Sequence, residues 1–167
     1  MEITIEAKDL NQALSRIIGV VQHKSSRPIL TCVLVNASQD GVLVLESTNI
    51  DISVSVTVPV TVNTAGRVAV PARKFADYLG TLSGGTVTLS ADEEGRVTVV
   101  SSRGRSELAG YPGADFPSTQ SFEDLQFTSL AGAELKSMLS QTIKCASTDD
   151  SRFSLVGVYV HRLSDGV

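Results

Sequence analysis

Val68-Ala69-Val70-Pro71-Ala72-Arg73-Lys74-Phe75-Ala76-Asp77-Tyr78-Leu79 changes its period halfway through. Val68 to Val70 is the apolar end of a buried strand, and Pro71 stands where a helix begins. Proline suits that place because its fixed φ is helical and its missing N–H would have no partner in the first turn. From there Phe75, Tyr78, Leu79 and Leu82 recur at three- and four-residue spacing, which predicts a helix over 71–82 with one face on a sheet. Arg73 and Lys74 fall off that stripe, at the end of the helix where the macrodipole disfavours cations. Helix stability therefore does not explain them. A solvated helix face is the plain alternative, and it stays open on these residues alone.

The same grammar extends in both directions. Ile3 and Ile5 alternate with polar residues as a short strand, and residues 8–21 place Leu10, Ala13, Leu14, Ile17, Ile18 and Val21 at helical spacing. Residues 22–28 have no period and end in proline, so they form an exposed loop. An apolar run over 29–35, a Gln39-Asp40-Gly41 turn, a return over 42–45 and the alternation Ile50, Ile52, Val54, Val56, Val58 predict three strands. After residue 66 the order repeats: a strand at 67–70, the helix at 71–82, and strands at 86–91, 96–101 and 104–109. The expected fold class is α+β, with two β-α-β-β-β units placing both helices on one face of one continuous antiparallel sheet. That defines a first domain over 1–109. Residues 110–124, rich in Gly, Pro, Ser and acids, have no regular pattern and are expected to be an interdomain linker.

Beyond the linker the beginning of the chain recurs. Leu135, Leu139, Ser140 and Ile143 repeat Leu10, Leu14, Ser15 and Ile18. Arg152, Leu155, Val158 and Val160 repeat Arg27, Leu30, Val33 and Val35, and Asp165-Gly166-Val167 repeats Asp40-Gly41-Val42. All pairs share one offset of about 125 residues, the period of a whole-domain duplication. Residues 125–167 are then the start of a second domain with one helix (133–146) and one strand, and without counterparts of 43–109. On this basis the second domain is truncated and the chain is expected to be a fragment of a longer protein.

The net charge is −4, yet the helical windows 8–20, 72–82 and 133–146 hold six cations (Lys8, Arg16, Arg73, Lys74, Lys136, Lys144) against three acids (Asp9, Asp77, Glu134). Basic helices on an acidic body suit a polyanion on one face, whereas helix-forming lysines solvating any exposed face give the bland account. Cys32 and Cys145 lie far apart, with no ligand spacing to the only histidines, His23 and His161, and are expected to be reduced core thiols. Asp149-Asp150 fits a solvated turn better than a metal pair. No catalytic or phosphate-loop motif occurs, so neither an enzyme, a metal centre nor a bound cofactor is expected. No apolar run approaches a membrane span, and the start is no signal peptide, which points to a cytoplasmic protein without membrane contact.

Five stretches carry a resemblance. Arg27-Pro28-Ile29-Leu30, Thr48-Asn49-Ile50-Asp51, Val70-Pro71-Ala72-Arg73-Lys74-Phe75, Ser102-Arg103-Gly104-Arg105 and Ala114-Asp115-Phe116-Pro117 together resemble the beta subunit of bacterial DNA polymerase III, the sliding-clamp family. The resemblance covers the whole chain. It implies the DNA-clamp fold, three such domains per subunit, a homodimeric ring with helices around duplex DNA, and a role in DNA replication as a processivity factor. Partners it implies are duplex DNA, DNA polymerase III and the peptides of polymerases and the clamp loader.

The resemblance also assigns residues. Lys24 and Arg73 match basic DNA contacts; Asp149 falls at an uncharged polar contact, and Phe153 and Ser154 fall on a tyrosine pair. A carboxylate at Asp149 repels phosphate. Lys74, Arg96, Arg103 and Arg105 match cations of the dimer interface, with Leu108 in its apolar part; Ser106 replaces a large aromatic there. Arg103 and Arg105 alternate along one expected strand and so should share a face. Arg152 and Leu155 match one wall of the peptide groove. The rival to this scheme is a non-DNA β-repeat binding module with incidental helix charge.

Overall fold

The computed structural model describes residues 1–118 and 127–161, and the chain divides into two compact units, 1–120 and 121–167. In the first, β1 (Glu2–Glu6) runs directly into α1 (Ala7–Ile17), followed by β2 (Cys32–Ser38), β3 (Val42–Thr48) and β4 (Ser53–Pro59). Then come β5 (Thr61–Thr64), β6 (Gly66–Pro71), α2 (Ala72–Gly80), β7 (Thr86–Ala91), β8 (Arg96–Ser101), β9 (Gly104–Ala109) and β10 (Tyr111–Pro112). The strands make two five-stranded antiparallel sheets, ordered β5-β1-β7-β8-β9 and β10-β6-β2-β3-β4. The α+β class and the two β-α-β-β-β units hold, but one continuous sheet does not.

The reason is a strand exchange. β1 opens the first β-α-β-β-β half yet pairs with β7 of the second half, Ile3 opposite Leu89 and Ile5 opposite Val87. β6 opens the second half yet pairs with β2 of the first half, Val70 opposite Val33 and Val68 opposite Val35. Each sheet thus holds three strands of one half, the leading strand of the other half and one short edge strand, β5 or β10, and the two strand orders are the same pattern written twice.

One apolar cluster joins everything. Ile3, Val33, Val35, Leu43, Leu45, Val68, Val70, Leu89, Val97 and Val99 supply the inner faces of both sheets. α1 adds Leu10, Leu14 and Ile17, and α2 adds Phe75 and Leu79, all essentially without solvent contact. The two helices lie against each other. α1 is shorter than its periodicity predicts: after Ile17 the chain closes two tight turns, with Val20 N donating to Ile17 O and Val21 N to Ile18 O.

Other differences have local causes. Pro28–Thr31 is a 3₁₀ turn and not the start of a strand, because Pro28 has a helical φ and no N–H, and Thr31 Oγ1 donates back to Pro28 O at 2.7 Å. Ile50 and Ile52 continue the alternation of β4 in sequence but lie in the turn before it, 60% and 54% exposed. There Thr48 Oγ1 accepts from Ile50 N and Asn49 Oδ1 accepts from Ile52 N, which holds Ile50 at φ +85°. Short polar side chains have won the backbone from the strand.

Structure also continues past Ala109. Tyr111 and Pro112 pair with Ala69 and Val68, and Phe116 is buried with Cys32, Leu34 and Ala69 in a second small core. The beginning of the expected linker is therefore packed on a sheet; its residues 119–124 lie outside the described residues. Gly110 makes this possible by close approach. Its N–H donates to Gly95 O at 2.9 Å, and a Cβ there would meet the carbonyl oxygen of Ala69.

The second unit contains α3 (Gly132–Thr142), a 3₁₀ turn over Ile143–Cys145 and another over Asp150–Arg152. Leu135 and Met138 on α3 are exposed, whereas their counterparts in α1, Leu10 and Ala13, are buried. The expected strand through Leu155, Val158 and Val160 is not formed among the described residues, since none of them offers it a ladder partner. Asp165-Gly166-Val167 lies outside the described residues. Cys32 is a core thiol as expected, but Cys145 is exposed. Burial pushes the Cys32 thiol up to about 11, so it stays protonated and unreactive at neutral pH.

The crossing at Gly110 is testable beside Gly80, whose added Cβ would meet nothing within 4 Å. In urea denaturation followed by far-UV circular dichroism, Gly80→Ala should raise stability by about 0.5 kcal/mol. Gly110→Ala should lower it by about 2 kcal/mol or more, since backbone must move to admit the methyl.

Candidate nucleic-acid interface

The burial of Ala72, Phe75 and Leu79 fixes which way α2 turns. Arg73 and Lys74, between those anchors, are left exposed in its first turn. Arg73 Nη2 lies 2.6 Å from Nε2 of His23, which brings the 22–27 loop, and with it Lys24, to the start of α2. The loop is held at both ends, by buried Val21 and by buried Leu30 in the 3₁₀ turn, and Arg27 N donates to Ser25 Oγ within it. Lys24, adjacent to His23 in the chain, and Arg73, 49 residues further on, are thus brought to the same exposed end of α2. On α1, Lys8 and Arg16 are exposed as expected, but Arg16 turns with Asp9 and Gln12 toward β4. There they line a shallow cleft of about 180 Å³ with Thr57, Val58 and Pro59.

The residues expected at the dimer interface divide around β9, an edge strand whose outer ladder side meets no other described strand. Arg105 and Glu107 share its outward face and form an ion pair at 2.8 Å. Arg96 on β8 lines the same hollow of about 530 Å³ with Glu2, Asp92, Arg105 and Glu107, and reaches Glu94 at 3.5 Å. Leu108 turns the other way and packs on the core cluster, with Ser106 half-buried on the same side. Arg103 does not share the face of Arg105. It stands in the β8–β9 turn, where strand alternation no longer applies, and its Nη1 donates to the Thr81 carbonyl at 3.2 Å. Tyr78 Oη sits 3.5 Å from Ser101 Oγ beside it. Lys74, one helical turn before Tyr78, lies along that flank of α2.

In the second unit, Asp149, Arg152, Phe153, Ser154 and Leu155 share one loop, closed by Ser147 N donating to Leu155 O at 2.8 Å. Asp149 has a local task that the sequence reading missed: its Oδ1 accepts from both Ser151 Oγ (2.7 Å) and Ser151 N (3.0 Å), capping the 3₁₀ turn. Those hydrogen bonds hold its carboxyl below the usual range, and Arg152 Nε is 3.8 Å from its other oxygen. The Asp-x-Ser spacing was the available signal. Phe153 is 83% and Leu155 55% exposed.

Among the described residues no cluster of His, Cys, Asp and Glu is arranged to hold a metal, and no helix is long and apolar enough to cross a membrane. No buried side-chain polar atom among them lacks a partner.

Two doubly paired antiparallel sheets closed by two helices, with exposed cations on the helices, define a domain of the sliding-clamp class. Residues 1–120 match the family model described as DNA polymerase III beta subunit, N-terminal domain, and the chain belongs to that family. Its relatives include the beta sliding clamps of Vibrio cholerae, 32% identical over 95% of this chain and 43% of that protein, and of Synechocystis, 27% identical over 100% and 44%. Among solved structures, a DnaN sliding clamp (DNA polymerase III subunit beta) from Bartonella birtlesii superposes with a TM-score of 0.88 at 31% identity, covering 99% of this chain and 44% of that one. The chain spans less than half the length of these relatives.

The geometry of Arg103 makes a prediction. Arg103→Ala should speed hydrogen exchange at the Thr81 and Leu82 amides, which close the last turn of α2. It should cost about 0.5–1 kcal/mol, whereas Arg105→Ala should leave those amides unchanged.

Proposed function

We propose that this chain serves in a DNA sliding clamp, a ring that encircles duplex DNA and tethers the replicative polymerase as a processivity factor. The observation that carries the reading is the basic patch of Lys24, Arg73 and Lys74 on the helix side, set against acids on the sheet side. Glu2, Asp92 and Glu107 line the outer hollow, and Asp92-Glu93-Glu94 forms the β7–β8 turn. A polyanion is attracted to one side of such a body and repelled by the other.

The mechanism is topological. A closed ring keeps its place without gripping, so a few phosphate contacts suffice, each weak and screened by salt. No step of this task breaks a bond in the clamp, so the chain needs no active site of its own. In this reading Lys24 and Arg73, with Phe153 and Ser154, face duplex DNA, while Asp149 is taken up by its own turn and contributes no attraction. The open edge of β9 is the joint to a second subunit, because an unpaired ladder offers backbone donors and acceptors to another strand. Arg96, Arg105 and Leu108 flank it, with Lys74 and Arg103 on the helix side. Arg152 and Leu155 contribute to a site for polymerase and clamp-loader peptides.

The test uses this chain and a labelled DNA duplex in fluorescence anisotropy. Binding should be weak, steeply salt-dependent and lost in the double variant Lys24→Glu with Arg73→Glu, whose stability should change by no more than about 0.5 kcal/mol. Affinity that is indifferent to salt or to both reversals would remove the DNA face from this side of the molecule.

A further inference from the structure

The contact between Arg73 Nη2 and His23 Nε2 at 2.6 Å has a fixed direction. Arginine only donates, so Nε2 of His23 accepts, and the ring is the neutral tautomer with its proton on Nδ1. Both side chains are exposed, so burial does not force them together. The loop that presents His23 is anchored by buried Val21 and Leu30.

Other arginines of the first unit offer a contrast. Arg96 and Arg105, on the outer face, are partnered by the carboxylates of Glu94 and Glu107. A carboxylate orients a guanidinium but also cancels its charge. A neutral imidazole orients it and leaves the full positive charge facing outward. One of the five guanidinium N–H groups is used, and four remain for phosphate oxygens.

We propose that His23 is a positioning residue for the contact of Arg73 with DNA phosphate. This rests on the reading of α2 as a DNA-facing helix. A free arginine samples many rotamers and must be ordered as DNA binds; a side chain already held by His23 has lost that freedom beforehand, so less affinity is spent on ordering it. Lys24, next in the chain, is presented by the same loop.

Two measurements test the proposal. In the free chain, ¹⁵N shifts of the His23 ring should report the neutral Nδ1–H tautomer; an Nε2–H ring would overturn the contact. Duplex affinity at low salt should then be measured for His23→Ala, Arg73→Ala and the double variant. His23→Ala should weaken binding about three- to tenfold, the range of one hydrogen bond. It should have no further effect once Arg73 is alanine, and His23→Gln, which keeps an acceptor at similar reach, should restore most of the loss. Losses that multiply in the double variant would make His23 an independent contact and overturn the positioning role. So would an unchanged His23→Ala affinity beside a weakened Arg73→Ala. An Arg73→Ala variant that binds as well as the parent would instead refute the DNA reading of α2, and the inference falls with it.

Discussion

A strand parted from its ladder exposes a row of N–H and C=O groups, and in the first unit the leading strand of each half finds one of its two ladders in the other half. β1 pairs with β7, and β6 pairs with β2. Neither β-α-β-β-β unit can satisfy its backbone alone, so the two must fold as one body. The helices follow from this. Each begins at the end of an exchanged strand, Glu6 before α1 and Pro71 before α2, so strand pairing fixes where both start. Their apolar faces then meet in the cluster that both sheets share, and the faces left over carry the cations.

The tail of the domain obeys the same constraint at closer range. After β9 the chain leaves one sheet and joins the edge of the other as β10, passing Gly95 and Ala69 with no room for a side chain. Phe116 then covers Cys32, Leu34 and Ala69 on the outer face of that sheet. The Ala-Asp-Phe-Pro segment thus has a packing reason to follow the last strand at fixed distance, which periodicity cannot reveal in so short a run.

Legibility in the sequence tracked the range of the interaction. β7, β8 and β9 were readable to the residue because Asp92–Gly95 and Ser101–Gly104 punctuate them with turn chemistry. β5 was not, for Thr61–Thr64 offers a single half-buried valine, Val62, and draws its stability from β1, some sixty residues away. The exchange of leading strands was invisible for the same reason: period says which face is buried, not which strand lies beside it. In the candidate site, Arg73 and Lys74 stood out because they sit where the macrodipole disfavours them. The partnership of Arg73 with His23 and the reach of Arg103 to Thr81 depend on loops folding back; Arg103 stands in a turn, where strand alternation no longer places a side chain.

These ties give α2 a particular position. Its first turn holds Arg73, joined to the 22–27 loop through His23, and its last turn is joined to the β8–β9 turn through Arg103 and the Tyr78–Ser101 contact. The helix is about 13 Å long, so the basic patch and the open edge of β9 are separated by little more than two turns of rigid backbone. Phe75 and Leu79 fix its middle in the close-packed core. The exposed cations of its first turn thus belong to a short helix held by contacts at both ends and in its middle.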